Sequence, residues 1–264
     1  MDKIQKYIQE NYNAKLNRKE IEDIACYSIR NIERIYRKCF NESIGHFQKR
    51  LKLENAFKKL IFTSQSIGDI AFEVGYLNQS SFTKAFKKQF SNSPTTVRNK
   101  KESFLKELFG KRTLEKLSYE QIFIPKKKIY YKSIVVEDYE AAAIEELWDS
   151  INRDVVALEK NLYFGLILDE PLITLPYKSR YEAAIDIAPN NPKSYLIKSI
   201  FGKRYLKFIH IGSYDNLADT YFKIFKFWFY QLNIELDNSE IIEQYIVAKI
   251  DIQKQQTHIF LPIK

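Results

Sequence analysis

Cysteine is almost missing from this chain of 264 residues: there are two, Cys26 and Cys39. Both fall in periodic apolar positions, which implies neither a disulfide framework nor an oxidising compartment. Histidine is nearly as rare, with His46, His210 and His258 far apart and not joined by cysteine at ligand spacing, so no zinc module is expected. Seven glycines and seven prolines exclude collagen-like and linker-rich architectures. No apolar run approaches the ~18 residues of a membrane span. The opening Met1-Asp2-Lys3-Ile4-Gln5 lacks the apolar core of a secretion signal, which leads us to expect a cytoplasmic protein without a membrane partner.

What the chain has is charge, unevenly placed. Residues 1–112 carry 23 Lys and Arg against 12 Asp and Glu, a net of +11. Residues 113–264 carry 19 against 21, a net of −2, which completes the formal +9. A basic half joined to a near-neutral half suggests a polyanion-binding module followed by a module with another task.

The basic half repeats itself. SIRNIERIYRKCF (28–40) and NQSSFTKAFKKQF (78–90) align at an offset of 50, pairing Ile32 with Phe82, Tyr36 with Phe86 and Phe40 with Phe90. Each copy opens on an N-cap residue and then spaces its apolar side chains along one helical face. A short amphipathic segment with capping-box spacing precedes each, Asn17 with Glu20 and Ser66 with Asp69. Helix, tight turn, helix is the helix-turn-helix pattern, present twice, with a further helix over roughly 44–61 between the copies. With the apolar stripe turned inward, the second helix of each unit presents cations and small polar groups. Arg reads guanine and Asn or Gln adenine, so a face with Arg30, Asn31 and Arg34 in one copy and Gln79, Ser80 and Ser81 in the other has the chemistry for base edges. Arg37, Lys38, Lys87, Lys88 and Arg98 suit phosphates.

The landmarks Ile70-Ala71, Gly75-Tyr76, Ser80 with Phe82, Phe86, Phe90, Ser93-Pro94 and Arg98 make 66–98 resemble the second helix-turn-helix of AraC/XylS-type transcription regulators. The first unit resembles its counterpart less tightly. Cys26 stands where the family has its turn glycine, and Asn41 and Ser91 stand where a glycine ends each recognition helix. The resemblance covers about 1–100. It implies double-stranded DNA and RNA polymerase as partners. It also implies base-contacting positions at Arg30, Glu33 and Arg34 in the first recognition helix and at Gln79, Ser80, Ser81 and Lys84 in the second, with Glu33 orienting Arg30 or Arg34 more than reading a base.

Past a mixed-charge segment at 101–127, strand-like runs at 129–136, 162–168, 180–187, 204–211, 242–250 and 257–263 alternate with helical patterns at 139–158 and 214–232. The order is strand-helix-strand-strand, twice, with IVVEDY (134–139) and IHIGSY (209–214) marking the copies at an offset of 75. Such a duplication predicts two antiparallel sheets related by a pseudo-twofold, with a cleft between them. The fold class is thus an all-α double helix-turn-helix followed by a duplicated α+β domain with antiparallel sheets. Its divisions are 1–105, a linker at 106–118, and 119–264.

Leu168-Asp169-Glu170-Pro171, Arg180-Tyr181-Glu182-Ala183, Gly202-Lys203-Arg204-Tyr205, His210 to Tyr214, Trp228, Glu243 with Tyr245, and Leu261-Pro262-Ile263 resemble GyrI-like effector-binding domains, in the domain order of Rob-type regulators. The resemblance implies a pocket for a small cationic or apolar effector, walled by aromatics around a buried carboxylate. Glu243 and Tyr245, two apart on a strand, face one side, and with Trp228, Tyr163 and Tyr181 they are the candidate lining. Glu182 is a weaker candidate. His210 reads as a strand or core histidine. No cofactor, metal or catalytic residue is expected, and the chain is not expected to be an enzyme. Two alternatives stay open: some GyrI-like domains are hydrolases, with Glu243 as base and Tyr245 as acid here, or the domain docks a protein. Methyl-acceptor repair is not expected, because both cysteines fall in the helix-turn-helix core.

Overall fold

The structure is a computed structural model describing residues 2–100, 117–137, 139–155, 162–169, 173–174, 178–232, 234, 236–237, 239–246 and 255–264. Contacts divide the chain into two compact units, Met1–Arg112 and Thr113–Lys264. Of the expected elements, the linker up to residue 116, the helix beyond 155 and the strand beyond 246 lie outside the described residues.

The first unit is helical: α1 (Asp2–Glu10), α2 (Arg18–Ala25), α3 (Ile29–Phe40), α4 (Ile44–Phe62), α5 (Ile67–Glu73), α6 (Gln79–Phe90) and α7 (Pro94–Asn99). The caps come from the side chains the sequence supplies: Asn17 accepts from Lys19 N, Ser66 from Asp69 N, Asn78 from Ser81 N and Ser93 from Thr96 N. Each such cap is worth about 1 kcal/mol. Ile32 and Tyr36 of α3, and Phe82 and Phe86 of α6, are buried, so both recognition helices dock by the expected stripe. Cys26, Asn41 and Ser91 all adopt the left-handed conformation, with φ of 56°, 48° and 57°. Cys26 and Ser91 accept there a strain of about 1 kcal/mol that glycine would not have. Both cysteines are exposed, not in the core. Cys39 neighbours the buried stripe in sequence but points away from it, and Cys26 sits on the outside of the turn.

The second unit comprises β1 (Glu120–Ile124), β2 (Lys127–Val136), α8 (Ala141–Asn152), β3 (Tyr163–Ile167), β4 (Ser179–Ile185), β5 (Leu196–Ile200), β6 (Lys203–Ile211), α9 (Leu217–Gln231), β7 (Ile241–Ile246) and β8 (Gln256–Pro262). The duplication is real and one element longer than its sequence trace. β1 and β5 begin at 120 and 196, β2 and β6 at 127 and 203, α8 and α9 at 141 and 217, a constant offset of 76. The offset of 75 was one residue short, and in a strand one residue exchanges the two faces.

The halves do not form two sheets. They join through β3 and β7 into one antiparallel sheet of order β1-β6-β8-β7-β3-β4-β2-β5. Each half lends its first strand to the other, since β1 pairs with β6 and β5 with β2. Flat, β1 and β2 would lie six strand spacings apart, about 29 Å. Two residues, Pro125 and Lys126, must join them, and these reach only about 11 Å. The sheet therefore curls until its ends meet, and Gly202 N donates to Ile124 O across the seam at 2.8 Å. The concave face buries Ile129, Tyr131, Phe164, Leu166, Tyr205, Ile242 and Phe260. The helices α8 and α9 pack on the other face.

Candidate functional site

On α3 and α6 the residues expected to meet DNA are on the outer side. Arg30, Arg34, Arg37, Lys38, Gln79, Ser80, Ser81, Lys84, Lys87 and Lys88 are exposed, and Asn31 and Glu33 are half-buried. The pairing differs from expectation in one respect. Arg34 Nη2 donates to Asn31 Oδ1 at 2.9 Å, while Glu33 lies 3.8 Å from Arg37 Nε. Asn31, three residues earlier on the same face, steadies Arg34, and Glu33 lies beside Arg37 one turn on. Arg98 is a correction. Its Nε donates to Leu60 O and its Nη1 to Gln65 O, both at 2.8 Å, so its guanidinium ties α7 to the end of α4 instead of reaching for a phosphate.

In the second unit the chemistry gathers where the halves meet. Glu243 lies directly across the β3–β7 pair from Gly165, where the two halves join. A β-carbon at 165 would stand closer than 3.0 Å to Tyr181 Oη, Tyr245 Oη and Glu243 Oε2. Glycine leaves the space into which three polar groups of neighbouring strands converge. Tyr221 of α9 donates to Glu243 Oε1 at 2.8 Å, and Tyr245 donates to Oε2. A tyrosine has one proton, so Tyr245, having given its own to the carboxylate, accepts from Tyr181 at 2.9 Å. Tyr181 in turn accepts from the Trp148 indole at 3.1 Å. Every donor in the chain from α8 to β7 thus points toward Glu243.

Glu243 is buried, and burial raises its pKa above the ordinary carboxylate range, against the two tyrosine donors that draw it down. Burial and the same carboxylate push Tyr221 and Tyr245 well above their usual range, so both remain donors at neutral pH. Around this centre stand aromatic rings: Trp148 lies 5.4 Å from Tyr245 and 6.3 Å from Tyr163, and Tyr214, 42% exposed, lies 5.1 Å from Tyr245. The cluster runs from a sealed carboxylate to a surface ring.

The structure brings together four of the five lining residues expected from sequence: Glu243, Tyr245, Tyr181 and Tyr163. It places Trp228 elsewhere, two turns along α9 from Tyr221 and packed on Phe225, with its indole donated to Ile234 O at 2.8 Å. Glu182, next to Tyr181, faces the concave side and pairs with Lys198. Trp148, Tyr214, Tyr221 and Gly165 were missed as site residues. His210 is buried, with its ring nitrogens on Thr220 Oγ1 and Ser213 O, a structural arrangement. Among the described residues no three His, Cys, Asp or Glu side chains gather as metal ligands, and no helix is long and apolar enough to cross a membrane.

Gly165 gives a direct test of the convergence. Gly165→Ala forces the Tyr245 hydroxyl off the carboxylate and the Tyr181 hydroxyl off Tyr245, or bends the β3–β7 pair, and overpacking of this kind costs about 1–3 kcal/mol. Urea denaturation should show that loss, whereas Gly45→Ala, where a β-carbon meets nothing within 4 Å, should show none. An unperturbed Gly165→Ala would mean that the hydroxyls are not held there.

Comparison with known proteins agrees with both units. A helix-turn-helix domain family matches residues 21–100, and the family described as a GyrI-like small molecule binding domain matches residues 118–264, more than half the chain. The regulatory protein SoxS of Escherichia coli K12 is 28% identical over 94 residues, 36% of this chain and 88% of SoxS. The transcriptional regulator Rob of Salmonella typhimurium is 33% identical over 78 residues, 30% of this chain and only 27% of Rob. Among solved structures, the EcmrR C-terminal domain is 20% identical, with a TM-score of 0.47, covering 57% of this chain and 99% of that one. The chain belongs to the GyrI-like family and is a DNA-binding transcription regulator, with an AraC/XylS-type helix-turn-helix domain ahead of its GyrI-like domain.

Proposed function

We propose that this regulator answers to a small molecule. Residues 1–105 grip double-stranded DNA, residues 119–264 bind the effector, and 106–118 link them. Arg30, Asn31, Arg34, Gln79, Ser80, Ser81 and Lys84 read bases. Arg37, Lys38, Lys87 and Lys88 hold phosphates. The effector is a small cation with apolar or aromatic surface, seated among Trp148, Tyr163, Tyr214 and Tyr245 above Glu243. The protein works in the cytoplasm, acts on RNA polymerase, and returns its ligand unchanged.

One observation carries the effector half: Glu243 is a buried carboxylate with no cation among its described partners, walled by rings whose faces attract positive charge. A ligand cation supplies the missing countercharge. The hydrolase alternative needs Tyr245 to surrender a proton as general acid. The raised pKa of Tyr245 opposes that.

Two measurements test the reading. A ligand at 100 times its Kd should add about 2.7 kcal/mol to stability and be recovered intact; consumption of the ligand would make the domain an enzyme. On the DNA side, Arg34→Ala should relax preference at one or two base pairs at a cost of about 1–3 kcal/mol there. Lys87→Ala should weaken all sequences alike. Uniform weakening by both would make Arg34 a phosphate contact.

A further inference from the structure

The helix joining the two helix-turn-helix units has a face that the reading above does not use. Gly45, Gln48, Lys49 and Lys52 of α4, Tyr76 of the second turn, and Ser81, Lys84, Ala85 and Lys88 of α6 enclose a cleft of about 490 Å³. Four lysines converge on it from two helices. Among the described residues, none of these four ammonium groups is paired with a carboxylate. Two other cations of α4 are by contrast neutralised, Arg50 between Glu42 and Glu54 and Lys59 on Glu73.

Lys52 marks the floor of the cleft. Its Nζ donates to Gly75 O at 3.0 Å and lies 5.8 Å from the centre of the Tyr76 ring, which fixes the side chain inward. Burial without a countercharge lowers the Lys52 pKa and pushes Tyr76 up to about 12. Desolvating an ammonium beside three others is unfavourable until an anion arrives. A phosphate offers several acceptor oxygens and a full negative charge.

We propose that this cleft holds a phosphate of the DNA backbone, so that α4 is itself a DNA contact, with Lys49 and Lys52 closing on the same phosphate as Lys88, beside the base-reading Lys84. The inference rests on the DNA-binding reading and adds to it an anchor between the two recognition helices. Its consequence is positional. A phosphate seated between α4 and the side of α6 fixes how deeply α6 enters its groove, and therefore which base edges Gln79 and Ser80 meet.

The test uses the full chain and a 30-base-pair duplex of mixed sequence, with Kd measured from about 50 to 200 mM salt. Each phosphate contact contributes about 0.9 to the steepness of the log–log salt slope, so losing one flattens it by about that much. Lys49→Gln, an exposed substitution, should lower the slope by about that much. Gly45→Glu places a carboxylate in open space at the cleft wall and should weaken binding at least tenfold, whereas Gly45→Ala should match wild type. A steep wild-type slope left unchanged by Lys49→Gln and Gly45→Glu overturns the inference and spares the DNA-binding reading. A wild-type chain without affinity for duplex overturns both. Inorganic tripolyphosphate separates the sources of phosphate: micromolar binding that leaves duplex affinity intact at saturation would assign the cleft to a free polyphosphate and overturn the assignment to DNA.

Discussion

Glu243→Gln should cost a cationic ligand about 2–5 kcal/mol of affinity and a neutral ligand of the same shape far less. The magnitude follows from removing one member of a desolvated charge pair. The matched probes are an aryl trimethylammonium and its tert-butyl isostere, titrated calorimetrically into wild type and variant. Equal losses for both would mean that the substitution disturbed packing, because Glu243 Oε1 and Oε2 hold Tyr221 and Tyr245 in place. No loss for either would put Glu243 outside the site. DNA affinity should be unchanged.

The same variant has a second, opposite effect on the unliganded protein. Glu243 has its folded pKa raised above the unfolded value, so the folded state binds the proton more tightly. Its contribution to stability is present in full below the unfolded pKa and is lost as pH rises through the folded pKa. Above that window wild type bears the cost of an ionised, buried carboxylate, and a permanently neutral glutamine does not. Thermal melts should therefore show Glu243→Gln gaining on wild type as pH rises above the ordinary carboxylate range. A cation stabilises the ionised form, so its binding should strengthen with pH and release a proton. On the proposed reading, a bound cation would offset the cost of ionising the buried Glu243, so ligand selectivity and the loss of stability with rising pH would share one cause.

The sequence was most legible where one element carries the whole signal. Ile32, Tyr36 and Phe40 repeat along a single helix, and the caps stand beside them, so the DNA-binding half could be laid out residue by residue. Glu243 and Tyr245 could be paired for the same reason, since two positions along one strand share a face. Trp148 and Gly165 could not. The role of Gly165 depends on the register of β3 against β7, and that of Trp148 on how α8 docks over β4. Neither is encoded in neighbouring residues. β1 and β5 escaped notice because edge strands alternate weakly: Phe123, Leu196 and Ile197 are exposed, which blurs the pattern of inside and outside. Arg98 was misassigned for a related reason. A basic residue after a recognition helix looks like a phosphate contact until the open carbonyls of Leu60 and Gln65 are seen facing it.

The largest effect on stability is expected away from both sites. Asp169, just past β3, takes Arg180 of β4 in a bidentate pair, with Nε to Oδ2 and Nη2 to Oδ1 both at 2.7 Å, and also accepts from Arg180 N at 3.0 Å. Their side chains are 1% and 3% exposed. Asp169→Asn keeps the shape and removes the charge, leaving the guanidinium without this countercharge in a place water does not reach. Breaking one side of a buried pair costs about 3–5 kcal/mol, a large part of the stability of one domain. Because Tyr181 follows Arg180 directly, the loss should also loosen the Trp148–Tyr181–Tyr245 chain and weaken cationic ligands. The double variant Asp169→Leu with Arg180→Met separates the two possible origins of the loss. If the penalty is the loss of this countercharge, removing both ions should recover most of the stability lost in Asp169→Asn, since apolar pairs of similar volume often replace buried ion pairs at no cost. If the double variant is as unstable as the single one, the hydrogen bonds closing the end of the β3–β4 pair are what the domain needs. A single variant within 1 kcal/mol of wild type in urea denaturation would refute both accounts.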